Sequence, residues 1–191
     1  MTNIYAALEI GTTRTVLAVG EAETGGRLKV TCHAEIPSSG VRKSQIMNIN
    51  NTTQSIRSVI RQVEEKQKKE GTSLSLGWAV LAVSGQHIRA DVYTGMVQVE
   101  GKSVNAEDIA AVEESARQFV QAKDRDLLGV FDRDYELDGL GGIASPQGMA
   151  GRILKLNTLQ VHADHNRIMD AKSAANNLHL EIRDEIGRAH V

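Results

Sequence analysis

The chain has 191 residues, 41% of them hydrophobic and 24% charged, with a net charge of −2. That is the composition of a soluble globular protein with one large domain or two small ones, and without a basic stripe it excludes a nucleic-acid backbone as electrostatic partner. No apolar run approaches the ~20 residues of a membrane helix, and the single cysteine, Cys32, leaves no internal disulfide, which suits a reducing cytoplasm.

Strand patterns come first. Ile4–Glu9 and Thr15–Gly20 are short, apolar and rich in β-branched residues, separated by a Gly11-Thr12-Thr13 corner. A turn at Glu23–Gly26 leads to a third alternating stretch, Leu28–Ile36, and Pro37–Gly40 ends the meander. A helix is predicted from Asn51 or Thr52, with Ile56, Val59, Ile60 and Val63 on one face and Gly71 at its end. Trp78–Gly85 is a continuous apolar run, which predicts a strand buried on both faces.

The rhythm then changes. Ile88–Val99 is extended, with its alternating apolar positions interrupted at Gly95. Asn105 is the N-cap of a second helix, with Asp108 at its third position and Ile109, Val112, Ala116 and Phe119 as its buried stripe. Leu127–Leu137 is a strand, Asp138–Gly151 a glycine-rich loop, and Ile153–His162 another strand. Residues 85–162 therefore form a β-α-β-β unit inserted into the first domain. A helix from Asp164 to Leu178 and a strand starting near His179 return to that domain. The tail Glu185–Val191 follows no hydrophobic period. Its codons can be written as a sequencing-library adapter, so it is expected to be non-native, with the natural sequence running to about Asp184.

The candidate site is Glu9–Arg14. A glycine corner lets backbone N–H groups approach an anion and form a small nest. Thr12 and Thr13 add hydroxyl donors, Arg14 adds positive charge, and Glu9 is placed to orient a water on Mg²⁺. Taken by itself the corner also fits an ordinary hairpin turn, because it lacks a Walker loop and leads into a strand rather than a helix.

Glu-Ile-Gly-Thr-Thr between the first two strands of a meander resembles the first phosphate loop of the actin/Hsp70/sugar-kinase ATPases. The stretches "PSSGVRKSQIMNIN", "LAVSGQHIRA", "GMVQVEG" and "SPQGMAGRI", in that order, resemble the FtsA family of bacterial cell-division proteins. The resemblance implies an α/β actin-like ATPase fold. Residues 1–84 and 163–184 would belong to subdomain 1A, and residues 85–162 would be the inserted SHS2-like subdomain 1C. It implies an ATP- and Mg²⁺-binding adaptor, at most a weak ATPase, that polymerises and tethers the FtsZ ring to the inner membrane from its cytoplasmic face. Gly11, Thr12 and Thr13 fall on the family's phosphate turn. Glu9 stands where an Asp is usual and Arg14 where a Lys is frequent. Ser84–Ile88 would be the passage into 1C, and 1C a surface for self-association and for later division proteins. The second phosphate loop, the adenine pocket, the FtsZ-binding subdomain and the membrane helix would all lie beyond residue 191. The chain alone is therefore expected to bind ATP poorly and, with a truncated sheet, to be poorly soluble. A pilus-assembly platform protein and a sugar or acid kinase of the same superfamily are the rival readings; the insert at residue 85 argues against the kinase.

Other motifs are weaker. His162, Asp164 and His165 in "HADH" suggest a metal, but Asp164 is better read as a helix N-cap. Cys32 is expected to be buried and inert, and Glu64–Glu70 to be a solvated helix end. "DRDYELDG" lacks the alternating pattern of a Ca²⁺ loop. No helix follows the loop from Gly139 to Gly151, so it has no helix-terminus phosphate site.

Overall fold

The computed structural model describes residues 4–71, 75–118 and 124–187. The chain divides into two compact units, one of residues 1–88 with 163–191 and one of residues 89–162.

The first unit is a five-stranded sheet in the order β11-β6-β1-β2-β3. The strands β1 (Ile4–Ile10), β2 (Arg14–Ala22) and β3 (Leu28–Pro37) form an antiparallel meander, as their alternation predicts. The strand β6 (Trp78–Val83) runs parallel to β1, and β11 (Glu181–Gly187) parallel to β6. Two helices, α1 (Ile49–Lys69) and α3 (His165–Asn176), cover one face. Leu8, Leu17, Val19, Ala34, Ala79 and Leu81 from the sheet meet Ile56, Val59, Val63 and Ile168 there, and all are buried. Burying each of the Leu, Ile and Val side chains contributes about 1.5–3 kcal/mol. Cys32 is buried on the same face with Sγ 4.0 Å from the Val63 carbonyl. The opposite face, with Ala7, Glu9, Val16, Ala18, Val80 and Ala82, is half-buried or exposed.

Several expectations shift. The strand β6 alternates between buried and half-buried residues, so only one of its faces is sealed. The helix α1 starts at Ile49, two residues before the expected Asn51: Asn48 is the N-cap and accepts from Asn51 N–H. The run of Asn and Thr from Asn48 to Thr53 offers several capping side chains, and spacing does not choose between them. Lys66, Lys68 and Lys69 close the helix where cations complement its dipole. Between β3 and α1 stands an unforeseen hairpin of β4 (Val41–Arg42) and β5 (Gln45–Ile46), turning on Lys43 and Ser44. Residues Glu185–Gly187 of the tail extend β11 and pair with Leu81–Val83, beyond an irregularity between Ile182 and Asp184.

The second unit is a four-stranded sheet ordered β7-β10-β8-β9, with α2 (Ala106–Arg117) packed against it. The strands β7 (Arg89–Gln98) and β10 (Ile153–Asp164) pair over ten residues. Gly95 sits inside β7 because a Cβ there would lie 2.3 Å from the Ala116 nitrogen, so its role is to let α2 approach. Asn105 is the expected N-cap, and its bonds with Asp108 are reciprocal. Asp108, Val112 and Ala116 are buried, Ile109 is half-buried, and Phe119 lies outside the described residues. Val99, Val104, Leu137, Leu154 and Leu156 complete this core. The strand β8 (Arg125–Leu137) is longer than its apolar pattern, and Leu140–Ile143 within the expected glycine-rich loop is a short strand, β9. The unit is thus β-α-β-β with one added strand.

Candidate functional site: the loop at the carboxyl ends of the parallel strands

The loop Gly11–Arg14 leaves β1 where β1 and its parallel neighbour β6 both end. In open α/β sheets, ligands collect outside the carboxyl ends of parallel strands. Gly11 N–H is occupied, donating to Arg14 O at 3.0 Å, and Ser38 N–H donates to Thr13 O at 3.0 Å. Those two bonds fix the loop. Gly11 therefore does not offer its N–H to a nest. The N–H groups of Thr12 and Thr13 donate to no protein group among the described residues, and both residues are exposed.

Thr12 Oγ1 accepts a 2.8 Å bond from Ser44 N–H, so the β4–β5 turn rests against the loop. Lys43 and Ser44 have φ of 50° and 56°, a conformation costing about 1–3 kcal/mol at a non-glycine residue. Gly85, at φ 129°, leaves room for the turn, since a Cβ there would lie 2.6 Å from Ser44 Cβ. The stretch from Ser84 to Ile88 is thus a tight turn, closed by Ile88 N–H to Gly85 O at 3.1 Å, that cradles the hairpin. A cavity of about 30 Å³ beneath it, lined by Ile10, Ser44, Ile46, Ser84, His87 and Arg167, is large enough for one water and far too small for a nucleotide. Anything held by the Thr12–Thr13 loop sits on an open surface.

Arg14 pairs with Glu35 at 3.1 Å, both side chains more than half exposed. Thr15 is fully buried and shares a 2.8 Å hydroxyl contact with Ser38. Glu9, opposite Val16 and Ala82, is half-buried on the helix-free face, and its carboxylate makes no hydrogen bond or ion pair among the described residues. Glu9 and the unengaged N–H groups of Thr12 and Thr13 thus stand at the carboxyl end of β1, one carboxylate and two donors. Lys43, Ser44 and Gly85 were missed as members of this site. Lys-Ser carries no turn signal, and the Ser44–Thr12 bond joins residues 32 apart in sequence.

In the second unit, His162 is buried with Nε2 2.7 Å from Asp91 Oδ2, while Arg125 donates from Nε to Nδ1 and from Nη2 to the His162 carbonyl at 3.1 Å. Asp164 caps α3, accepting from Arg167 N–H at 3.2 Å. Tyr135 donates to Glu113 at 3.2 Å, and burial, then the Glu113 charge, hold its phenol above the usual value of 10.0. No helix among the described residues is long and apolar enough to cross a membrane.

A five-stranded sheet with a meander at one edge, two helices on one face and a second unit entered after β6 is an actin-like ATPase fold. The solved PilM-PilN type IV pilus biogenesis complex shares this fold, with a TM-score of 0.56 and 12% identity over 95% of this chain and 47% of that one. The family described as the SHS2 domain inserted in FTSA matches residues 85–162. Along 96% of its length the chain is 31% identical to the cell division protein FtsA of Pseudomonas aeruginosa, covering 43% of that protein. Over 78% of its length it is 30% identical to FtsA of Bacillus subtilis, covering 33% of that protein. The chain is thus similar along most of its length to FtsA cell-division proteins, and it spans less than half the length of these two relatives.

Proposed function

We propose that this chain carries one phosphate-binding jaw of an actin-like, ATP-binding cell-division adaptor. The first unit corresponds to part of subdomain 1A and the second to subdomain 1C. The observation that carries the reading is the pair of unengaged N–H groups at Thr12 and Thr13, set at the carboxyl ends of β1 and β6 in a chain similar to FtsA. Thr12 and Thr13 bind phosphate oxygens, with Gly11 shaping the turn. Glu9 holds a water of the accompanying Mg²⁺, and Arg14 adds charge at the rim. ATP supplies the switch for head-to-tail self-association, which through a heterologous interface gives open filaments. The whole protein links FtsZ to the cytoplasmic face of the inner membrane, and the 1C unit is its surface for later division proteins.

Two measurements test this. In the full gene product, capture of FtsZ together with Mg-ATP binding that Thr13→Val or Gly11→Val abolishes supports the adaptor; retention of ATP binding by both variants refutes the phosphate loop. In the 191-residue chain, one jaw of two should bind ATP weakly, and micromolar affinity by calorimetry would contradict that division of the site.

A further inference from the structure

We infer that the β4–β5 turn is a working part of the phosphate site: Ser44 N–H aims the Thr12 hydroxyl, and Lys43 supplies the cation that faces the polyphosphate. This rests on the phosphate-loop reading above and adds two residues to it. A hydroxyl has one proton and two lone pairs. With one lone pair of Thr12 Oγ1 fixed by Ser44 N–H at 2.8 Å, its proton is turned away from the hairpin and left for an acceptor on the open side. A phosphate oxygen is such an acceptor.

The cation follows from the same contact. Lys43 is bonded to Ser44, so its Cα lies within about 5 Å of Thr12 Oγ1, well inside the reach of a lysine side chain. Lys43 is exposed and makes no ion pair among the described residues, whereas Arg14 is held by Glu35. Two consecutive non-glycine residues at positive φ persist only when their surroundings hold them, and here those surroundings are Thr12 and Gly85. A lysine is suited to the task as a compact point charge for phosphate.

The test uses the full gene product with Mg-ATP and adenosine as probes, measured by calorimetry. Lys43→Ala and Lys43→Gly should each weaken Mg-ATP binding about tenfold and leave adenosine binding unchanged. Lys43→Gly also relieves the positive φ, so weakened binding in a variant that melts no lower than wild type reports charge rather than misfolding. Thr12→Val should weaken Mg-ATP similarly, with Thr12→Ser restoring it. If Thr13→Val abolishes binding while both Lys43 variants bind Mg-ATP as wild type does, the loop reading stands and the role of Lys43 is overturned. If Thr12→Val alone is silent, the aiming role of Ser44 is overturned. If Thr13→Val and Gly11→Val are silent too, the phosphate-loop reading falls with both.

Discussion

Two hairpin turns in this protein share a backbone sign and differ in what holds them. Asp138–Gly139 joins β8 to β9 with φ of 49° and 91°, and Lys43–Ser44 joins β4 to β5 with φ of 50° and 56°. Asp-Gly is a preferred pair for two-residue turns of this sign. Asp138 also accepts from the N–H groups of Arg152 at 3.1 Å and Ile153 at 2.9 Å, fastening the turn to β10. Lys-Ser has no such local advantage. It is held from outside, by the bond to Thr12 and the space left by Gly85. A turn set by its own residues serves the fold, and one set against its residues marks a place where position matters more than local ease.

The largest effect that would break this contrast comes from Gly85. Gly85→Ala places a Cβ against Ser44 at a φ unsuited to side chains, so it should cost about 3 kcal/mol and lower Tm by roughly 6–12 °C. Mg-ATP binding by the full gene product should fall with it. An unchanged Tm would mean that Ser44 is not seated on Gly85. Next is Asp138→Ala, which removes a residue tolerant of positive φ and leaves Arg152 and Ile153 N–H without an acceptor. It should cost about 2 kcal/mol in thermal unfolding yet leave nucleotide affinity at the wild-type value. Loss of affinity there would erase the distinction between the two turns.

The same contrast explains what the sequence made legible. Alternation gave the meander, and helical spacing gave the buried stripe of α1; the N-cap at Asn105 followed from residue type alone. All are local, and local preference agrees there with the final structure. Asp138–Gly139 was equally readable as a hairpin signal, but the density of glycines around it masked β9 as a loop. Gly95 interrupts the apolar alternation of β7, and the reason for it, the approach of Ala116, lies 21 residues away. Of the site, the Thr12–Thr13 corner was visible as a motif. The occupied Gly11 N–H was not, because hydrogen-bond partners are a property of the folded turn. Lys43 and Ser44 were invisible for the same reason, being defined by a tertiary bond and a conformation that their types disfavour.

A smaller effect of opposite sign sharpens the comparison. Lys43→Gly puts at φ 50° the one residue that adopts it freely, and should raise stability by about 1 kcal/mol, or roughly 2–4 °C in Tm. The matching exchange at the other turn, Asp138→Gly, should not stabilise, because it discards the two backbone acceptors that Asp138 provides. Equal responses at both sites would mean that φ alone governs the turns.

The smallest expected effect separates the two cations near the loop. Arg14 and Glu35 form an exposed pair, and such pairs contribute about 0–1 kcal/mol because water screens them and two long side chains must be ordered. Arg14→Ala should therefore shift Tm by less than about 2 °C. Its effect on Mg-ATP affinity should be smaller than that of Lys43→Ala, since a guanidinium already facing a carboxylate has less to offer a phosphate. Glu35→Ala tests the cause directly. Releasing Arg14 should tighten Mg-ATP binding, most visibly at low salt where exposed charges act over longer distances. Weaker binding after Glu35→Ala would show that the ion pair positions Arg14 for the ligand instead of competing with it, and the two cations would then act together.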